Sequence, residues 1–344
     1  MALFSKTQSY IGFDIGAMSV KAVELKRLQG KPTLVNYGYS EETADFAQKN
    51  LGLDVDKTVQ IIGELRRRAG MESVNAIAAM PSFAVFSSVL NLHEEVKKED
   101  LESAVMWEAK KVIPLALEEM ILDWKVMEKA DDKKNVKVLL TGAPRSLVKK
   151  YIAIFKAAKL RLVSLETEMF SLVRSLVGSD PSLVAVIDLG AVNTDIAIVE
   201  NGLPMFVRTL DTGGIMVTKA IQDSLKVGFL RAEQFKFDLS AGAASDKALP
   251  KVIIDTVSAI TNEVRYSLSV YQQENNKKIE KIILSGGGAH LSNIAGYLSA
   301  TMDMNVVIGD PWARVVYPLD IKSVLDEMGS RMAIAVGLAL RETL

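Results

Sequence analysis

The sequence predicts an α/β fold of two lobes, each built around a copy of the same mixed β-sheet unit. The repeated motif is a run of apolar β-forming residues, then Asp-x-Gly, then a second β-rich run. It occurs at residues 11–21 (IGFDIGAMSVK) and 186–195 (VIDLGAVNTD). Each second run ends in a turn dipeptide, Gln29-Gly30 or Asn201-Gly202, before a further extended segment. The 344 residues have room for about two domains of ordinary size.

Composition excludes several classes of site. The chain has no cysteine and two histidines, so disulfides, thiolate metal sites and histidine-rich metal sites are ruled out. A net charge of −1 provides no basic field for nucleic acid. Met1 to Tyr10 lacks the apolar core of a signal peptide, and Asp188 and Asp195 interrupt the apolar stretch Leu183 to Val199. We expect a cytoplasmic protein whose membrane association comes through a partner, without direct membrane insertion.

The first half of the chain divides into a β-rich unit and an inserted module. After the first β-unit, Tyr10 to Ser40, the pattern predicts a helix at Val55 to Ala69 and a strand at Ala76 to Met80. A small α+β module (the inserted module, residues 83–162) follows. Its predicted elements are strands at Val85 to Leu92, Ile121 to Met127 and Val136 to Leu140, and helices at Glu99 to Val112 and Ser146 to Ala158. A helix at Glu166 to Val177 is expected to return the chain to the main body.

The second lobe begins at Leu183. Predicted elements are helices at Met216 to Val227, Ala232 to Phe237, Lys251 to Gln273, Ser292 to Met302 and Ser330 to Leu340, with strands at Ile279 to Leu284 and Asn305 to Ile308. We therefore divide the chain into a first-lobe core (1–82, completed by 163–182 and 330–344), the inserted module, a second-lobe core (183–215 and 279–329) and a helical subdomain (216–278).

The two Asp-x-Gly turns have the chemistry of a phosphate and metal clamp. Gly16 and Gly190 lack a Cβ, which lets phosphate approach the backbone amides. The carboxylates of Asp14 and Asp188 suit Mg²⁺, which prefers a few carboxylates together with water and phosphate. Lys21 is placed to reach the phosphates as a point charge. A single Asp-x-Gly is ordinarily only a turn, and it is the repeat that favours the functional interpretation.

Two further glycine motifs stand between strands and helices. Thr212-Gly213-Gly214 precedes a predicted helix, where it forms either an anion site or a plain strand-to-helix turn. Gly286, Gly287, Gly288 and Ala289 follow a buried strand, and such a run lets a flat ligand lie against the backbone. Neither a Walker A motif nor Gly-x-Gly-x-x-Gly is present.

Three charged residues have two interpretations each. Glu233 and Lys236 are about one helical turn apart, so they form either a surface ion pair or a pair of ligand contacts. Glu168 is either a solvated helix carboxylate or the group that orients a water near a terminal phosphate.

Together these motifs resemble the actin/Hsp70/sugar-kinase superfamily, with its actin-like (ribonuclease H-like) two-lobed ATPase fold. Asp14 to Lys21 is similar to the first phosphate loop, Asp188 to Thr194 to the second, and Ser285 to Ala289 to the adenosine motif. The resemblance implies ATP or ADP with Mg²⁺ held at Asp14 and Asp188. Its implied nucleotide contacts also include Ala17, Met18, Val192, Asn193 and Thr194 in the loops, and Glu233 and Lys236 at the ribose and adenine, while Glu168 polarises the attacking water.

Within the superfamily the inserted module resembles the PilM family of type IV pilus assembly. The similar segments are Trp107 to Pro114, Glu118 to Val126, Thr141 to Arg145 and, outside the module, Glu263 to Leu268. This resemblance implies a cytoplasmic ATP-binding scaffold, peripheral to the inner membrane. Its implied partners are the N-terminal cytoplasmic peptide of a PilN-like bitopic inner-membrane protein, the assembly platform with its motor ATPases, and further copies of itself.

Two residues depart from the family pattern, and one rival function stays open. Ala17 stands where Ser or Thr is common, which removes a hydroxyl contact to phosphate, and Glu166 stands in place of Asp. Fast hydrolysis is therefore not expected, and whether the protein is an enzyme is left open. A sugar kinase or an Hsp70 is disfavoured because no sugar-site Asp motif or large second domain is seen. A filament-forming actin homologue of the FtsA or MreB type is the alternative.

Overall fold

Two five-stranded sheets of the same topology form the body of the protein. The structure, a computed structural model, describes residues 8–41, 53–93, 98–127, 135–241, 250–291 and 293–344. The strands of the first sheet are β1 (Ser9–Ile15), β2 (Ser19–Leu28), β3 (Lys31–Glu41), β4 (Asn75–Met80) and β8 (Arg161–Thr167), and those of the second are β9 (Val184–Leu189), β10 (Thr194–Glu200), β11 (Leu203–Leu210), β12 (Lys281–Ser285) and β13 (Asn305–Ile308). The first sheet has the order β3-β2-β1-β4-β8 and the second β11-β10-β9-β12-β13. The predicted duplicated α/β core is confirmed.

Each sheet combines an antiparallel meander of three strands with parallel strands on its other side. β1 pairs antiparallel with β2 and parallel with β4, and β9 pairs antiparallel with β10 and parallel with β12. Parallel pairing needs a crossover, and helices provide it in both lobes. The carboxyl ends of β1 and β9 carry Asp14 and Asp188, so the topology places the two Asp-x-Gly turns at equivalent points of the two sheets.

Nine α-helices are described. They are α1 (Val55–Ala69), α2 (Leu101–Val112), α3 (Arg145–Ala157), α4 (Glu168–Leu172), α5 (Gly214–Leu225), α6 (Phe229–Ala241), α7 (Lys251–Asn275), α8 (Ile294–Met302) and α9 (Lys322–Leu340). The first of them shows why local sequence predicts its ends. The Asp54 carboxylate caps the amide of Lys57, and Gly70 adopts the left-handed conformation that closes the helix.

The predicted helix at Glu166 to Val177 is wrong at its start. Residues 161–167 form β8, which pairs parallel with β4, and α4 begins at Glu168 with Thr167 as its N-cap. The segment is rich in β-formers such as Leu162, Val163 and Leu165, and it becomes a strand because β4 offers an unpaired edge. A π-helical turn, Val173–Val177, completes the segment.

Helix α9 connects the two sheets, and it is longer than the predicted Ser330 to Leu340. Residues Met332–Leu340 are buried or nearly so, and they pack against β1, β2 and α4. The contact is close: a Cβ on Gly12 would lie 2.2 Å from the carbonyl oxygen of Ala335, and one on Gly337 would lie 1.9 Å from that of Ser171. Leu325 and Met328 extend the apolar face of α9 into its first half at helical spacing from Met332, so periodicity does mark this half and the predicted start is too late.

The inserted module contains a separate three-stranded antiparallel sheet. Its order is β5-β7-β6, from β5 (Phe86–His93), β6 (Met120–Val126) and β7 (Asn135–Pro144), and α2 packs on it. Strand β5 also lies against β11, the edge strand of the second sheet. The module therefore contacts the second lobe as well as the first.

Candidate functional site

The first Asp-x-Gly turn joins β1 to β2 and carries an ion pair. Asp14, 2% exposed, is the cross-strand neighbour of Lys21, whose Nζ lies 2.8 Å from Asp14 Oδ2. The Gly16 amide donates to the Ser19 carbonyl at 3.0 Å, which closes the turn. Ala17 and Met18 are half-buried within it. A charged donor and a buried carboxylate thus stand together at the end of the first sheet.

The second turn has the same register but a different partner. Asp188 is the cross-strand neighbour of Asp195, so the position that holds Lys21 in the first copy holds an acid in the second. The loop of residues 190–194, with Val192 and Asn193 half-buried, packs against residues 211–214. The Gly214 amide donates to the Gly190 carbonyl at 2.9 Å, and the Thr194 hydroxyl donates to the Thr212 carbonyl at 2.7 Å.

Glycine is required where these loops touch. A Cβ on Gly213 would lie 2.7 Å from the carbonyl oxygen of Gly190. Gly286 has φ +81°, and a Cβ there would lie 2.5 Å from the Leu189 carbonyl oxygen and 2.9 Å from Asp188 Oδ1. Loop 285–288 therefore lies directly beside the second Asp-x-Gly turn. The Gly286 amide donates to the Ser330 carbonyl at 3.1 Å, which ties this loop to α9.

Four carboxyl groups face one another between the lobes. Burial, with the charges of Asp195 and Asp14, raises the pKa of Asp188 to about 7. Burial also raises the pKa of Asp195 to about 6, although a hydrogen bond from the Thr209 hydroxyl opposes the rise. Burial and the charges of Asp195 and Asp14 raise the pKa of Glu168 well above its usual range. Negative charge at this point is costly, so the site favours a cation or hydrogen-bond donors.

Glu168 does not project into solvent as a surface helix carboxylate would. It starts α4, and its Oε2 accepts from the Ser82 amide at 2.9 Å and from the Ser82 hydroxyl at 3.2 Å. Its electrostatic coupling to Asp195 and Asp14 places it in the same cluster. The position fits a group that orients a water molecule, and that role stays a prediction.

Glu233 and Lys236 form the ion pair that their spacing predicts, with contacts beyond the pair. Glu233 Oε1 lies 2.6 Å from Lys236 Nζ and accepts from the Thr218 hydroxyl. Lys236 Nζ also donates to the Gly214 carbonyl at 3.3 Å. The pair is partly buried, and it joins α6 to the loop that packs on the second turn. It is thus both an ion pair and part of the wall around residues 213–214.

A small apolar cavity of about 20 Å³ lies behind these loops in the second lobe. Thr194, Gly213, Gly214 and Gly288 line it together with apolar side chains. Four predicted nucleotide contacts thus surround one space, although they come from three separate parts of the sequence. Among the described residues, no set of three or more acidic or histidine side chains is arranged to hold a metal ion by itself.

Three residues at the site were not predicted. Asp195 had a sequence signal, because an antiparallel hairpin around residues 190–193 places it opposite Asp188. Ser82, 8% exposed, had no signal, since its contact with Glu168 spans 86 residues. Tyr151 is buried on α3, and the charges of Glu168 and Asp14 add to burial in raising its pKa. Its helix lies in the inserted module, which periodicity does not connect to the cleft.

Two copies of one sheet unit, with acidic turns facing each other and an inserted module in the first lobe, define an actin-like two-lobed protein. MreB5 of Spiroplasma citri bound to AMPPNP has this fold, with TM-score 0.54 and 15% identity over 98% of this chain and 96% of that one. The model of the family "Type IV pilus assembly protein PilM" matches residues 12–343, and the chain belongs to this family. The resemblance drawn from the inserted module is confirmed.

Two further comparisons agree with this assignment. The structure is similar to a chain of the "PilM-PilN type IV pilus biogenesis complex", with TM-score 0.84 and 25% identity over 97% of this chain and 98% of that one. The cell division protein FtsA of Enterococcus faecalis is 21% identical over 355 residues, which cover 89% of this chain and 80% of FtsA. None of the described helices has the length and apolarity that a membrane crossing needs.

Proposed function

We propose that this protein is a nucleotide-dependent scaffold of type IV pilus assembly. It binds Mg-ATP, or ADP, between its lobes, and it binds the N-terminal cytoplasmic peptide of a PilN-like inner-membrane protein. The observation that supports nucleotide binding is that three loops come together between the lobes. The two acidic turns at Asp14 and Asp188 and the glycine loop at 286–288 approach one another from separate parts of the chain.

The residues present fit both a nucleotide and its metal. Glycine at 213 and 286 lets these loops pack backbone to backbone, and at Gly287 the nearest atom to an added Cβ would be Arg331 Nε at 3.9 Å, which leaves room for a ligand beside the loop. Asp14 and Asp188 would hold Mg²⁺ together with phosphate oxygens and water. The metal would offset phosphate charge and the repulsion within the carboxyl cluster. Lys21 would contact phosphate, and Glu233 and Lys236 the ribose and adenine.

Hydrolysis is expected to be slow at most. Ala17 has no hydroxyl to place on a phosphate oxygen, so the first loop lacks that contact and would hold phosphate by backbone amides and Lys21. ATP then serves as a ligand that holds the lobes in one arrangement rather than as a consumed substrate.

The partner proposal rests on similarity to the PilM chain of the PilM-PilN complex over nearly the whole length. We assign the peptide site to the first lobe beside the inserted module. The same proposal includes contact with the motor ATPases, self-association and a cytoplasmic location at the inner membrane. It also includes the division of the chain into two lobe cores, the inserted module and the helical subdomain.

Nucleotide binding is tested by titrating the purified protein with Mg-ATP in a calorimeter. Asp14→Asn and Asp188→Asn should each weaken binding about tenfold or more, because each removes a charged contact worth about 1.5–3 kcal/mol. Asp223→Asn, at an exposed position on α5, is the matched control. Equal affinity in all four proteins would contradict the assignment of the site.

Partner binding is tested with a synthetic peptide of the PilN-like protein's cytoplasmic N-terminus. Fluorescence anisotropy should show saturable binding that is absent for a scrambled peptide. Measurement with and without Mg-ATP then decides whether nucleotide and peptide are linked. Identical affinities would refute the linkage while leaving the scaffold role intact.

A further inference from the structure

Ser82 stands where the first lobe passes into the inserted module. Pro81 ends β4, residues 82–84 form one 3₁₀ turn, and β5 of the module begins at Phe86. The side chain points inward, with 8% of Ser82 exposed. Any movement of β5 relative to β4 must therefore change the conformation of this turn.

The same serine contacts acids of both lobes. Its amide and hydroxyl both donate to Oε2 of Glu168 in the first lobe. Its hydroxyl also lies close enough to the Asp195 carboxyl, on β10 of the second lobe, to lower the pKa of that group. A hydroxyl carries one proton, so it can donate fully to only one of the two carboxylates at a time.

The second lobe reaches the module at the same place. The Thr209 hydroxyl on β11 donates to Asp195, and β11 lies against β5. A cavity of about 10 Å³ separates these strands, and Ser82, Val85, Pro204 and Val207 are among its lining residues. Ser82 is one of three hydroxyl residues that line this space, and the other lining residues are apolar. Strand β5 therefore lies against the second sheet, and the turn that precedes it contacts the carboxyl cluster through Ser82.

We infer that Ser82 is a positioning residue that holds Glu168 in the cleft and couples the spacing of the lobes to the inserted module. The inference rests on the proposed nucleotide binding. When the lobes move, the distance between Asp195 and Glu168 changes, and the Ser82 hydroxyl keeps its hydrogen bond to only one of these two carboxylates. Ser82 is then displaced, and the 82–84 turn and β5 move with it.

Hydrogen–deuterium exchange with and without saturating Mg-ATP tests this on the full chain. In the wild type, nucleotide should change protection in the cleft loops (11–21 and 186–195) and also in β5 and β11. Ser82→Ala should keep the change in the cleft loops but lose half or more of the change in β5. Ser82→Thr, which retains a hydroxyl, should restore it. Ser224→Ala, exposed on α5, is the control.

A second variant tests the same inference if Ser82→Ala fails to fold. Thr209→Val keeps the shape of the side chain but removes the hydroxyl that donates to Asp195, and it should reduce the response of β5 in the same direction. A wild-type response of β5 in Ser82→Ala would overturn the inference. So would a wild type whose cleft loops respond while β5 does not, and that result would leave nucleotide binding standing. Absence of any response in the cleft loops would overturn both.

Discussion

Replacing Asp188 by Asn should stabilise the nucleotide-free protein and weaken its hold on Mg-ATP, two effects of opposite direction. The pKa of Asp188 rises from 3.8 to about 7, mainly through burial. Between these two values the folded protein keeps a proton that the unfolded chain releases. The contribution of Asp188 to stability is therefore most favourable below pH 4 and is lost as the pH rises towards 7.

The size of the effect follows from the same pKa. A difference of about 3 pH units, at about 1.4 kcal/mol each, puts the cost of ionised Asp188 at roughly 4 kcal/mol above pH 7. Asparagine is neutral at every pH and keeps an oxygen for the hydrogen bond that Ser285 makes to Asp188. We expect the variant to be about 2–4 kcal/mol more stable than the wild type at pH 8, with little difference at pH 4.

Urea denaturation of nucleotide-free protein at pH 4, 6 and 8 measures this directly. The wild type should lose stability across the series more steeply than Asp188→Asn, and Asp223→Asn should follow the wild type. If Asp188 were a structural carboxylate, its replacement would destabilise the protein at pH 8. That result, or parallel pH dependence in the wild type and the variant, would refute the electrostatic argument.

Two further predictions concern packing around α9. Gly12→Ala should destabilise the protein by about 3 kcal/mol or more, because its Cβ would collide with backbone on α9. Gly63→Ala, with open space on α1, should instead stabilise it by up to about 1 kcal/mol. Equal midpoints of urea denaturation for the two variants would refute this prediction. Arg174→Met should cost about 2 kcal/mol, since Glu166 loses its two-pronged partner at 2.6 and 2.9 Å and keeps only the more exposed Arg341 at 3.4 Å. Adding Glu166→Gln should recover part of that loss in thermal melts, and no recovery would contradict the ion-pair explanation.

Much of the architecture was accessible from sequence because the two sheets repeat one local pattern. Hairpins formed by adjacent strands, and helices with clear caps such as α1, follow from neighbours in the chain. Strand β8 was missed because its pairing with β4 joins residues 86 apart, as in Asn75 and Arg161. The predicted start of α9 is too late, although Leu325 and Met328 lie at helical spacing from Met332 and mark its first half.

At the site, sequence predicts loops better than it predicts contacts between them. Asp14 and Asp188 could be chosen from the repeat alone, and their burial at equivalent strand ends agrees with that choice. The contrast between Lys21 and Asp195 at matched positions becomes visible only once the register of the two hairpins is known. Ser82 joins elements that are remote in sequence, and no local pattern marks it.

The position of α9 has a consequence for how the chain is made. The strands it covers, β1 and β2, are synthesised early, and the Arg27–Leu344 hydrogen bond joins residues 317 positions apart. At the usual rates of chain elongation on the ribosome, roughly tens of seconds pass between synthesis of these strands and synthesis of the helix that buries their apolar face. The first lobe is thus finished late in synthesis, and during that interval its exposed face is a natural substrate for chaperones.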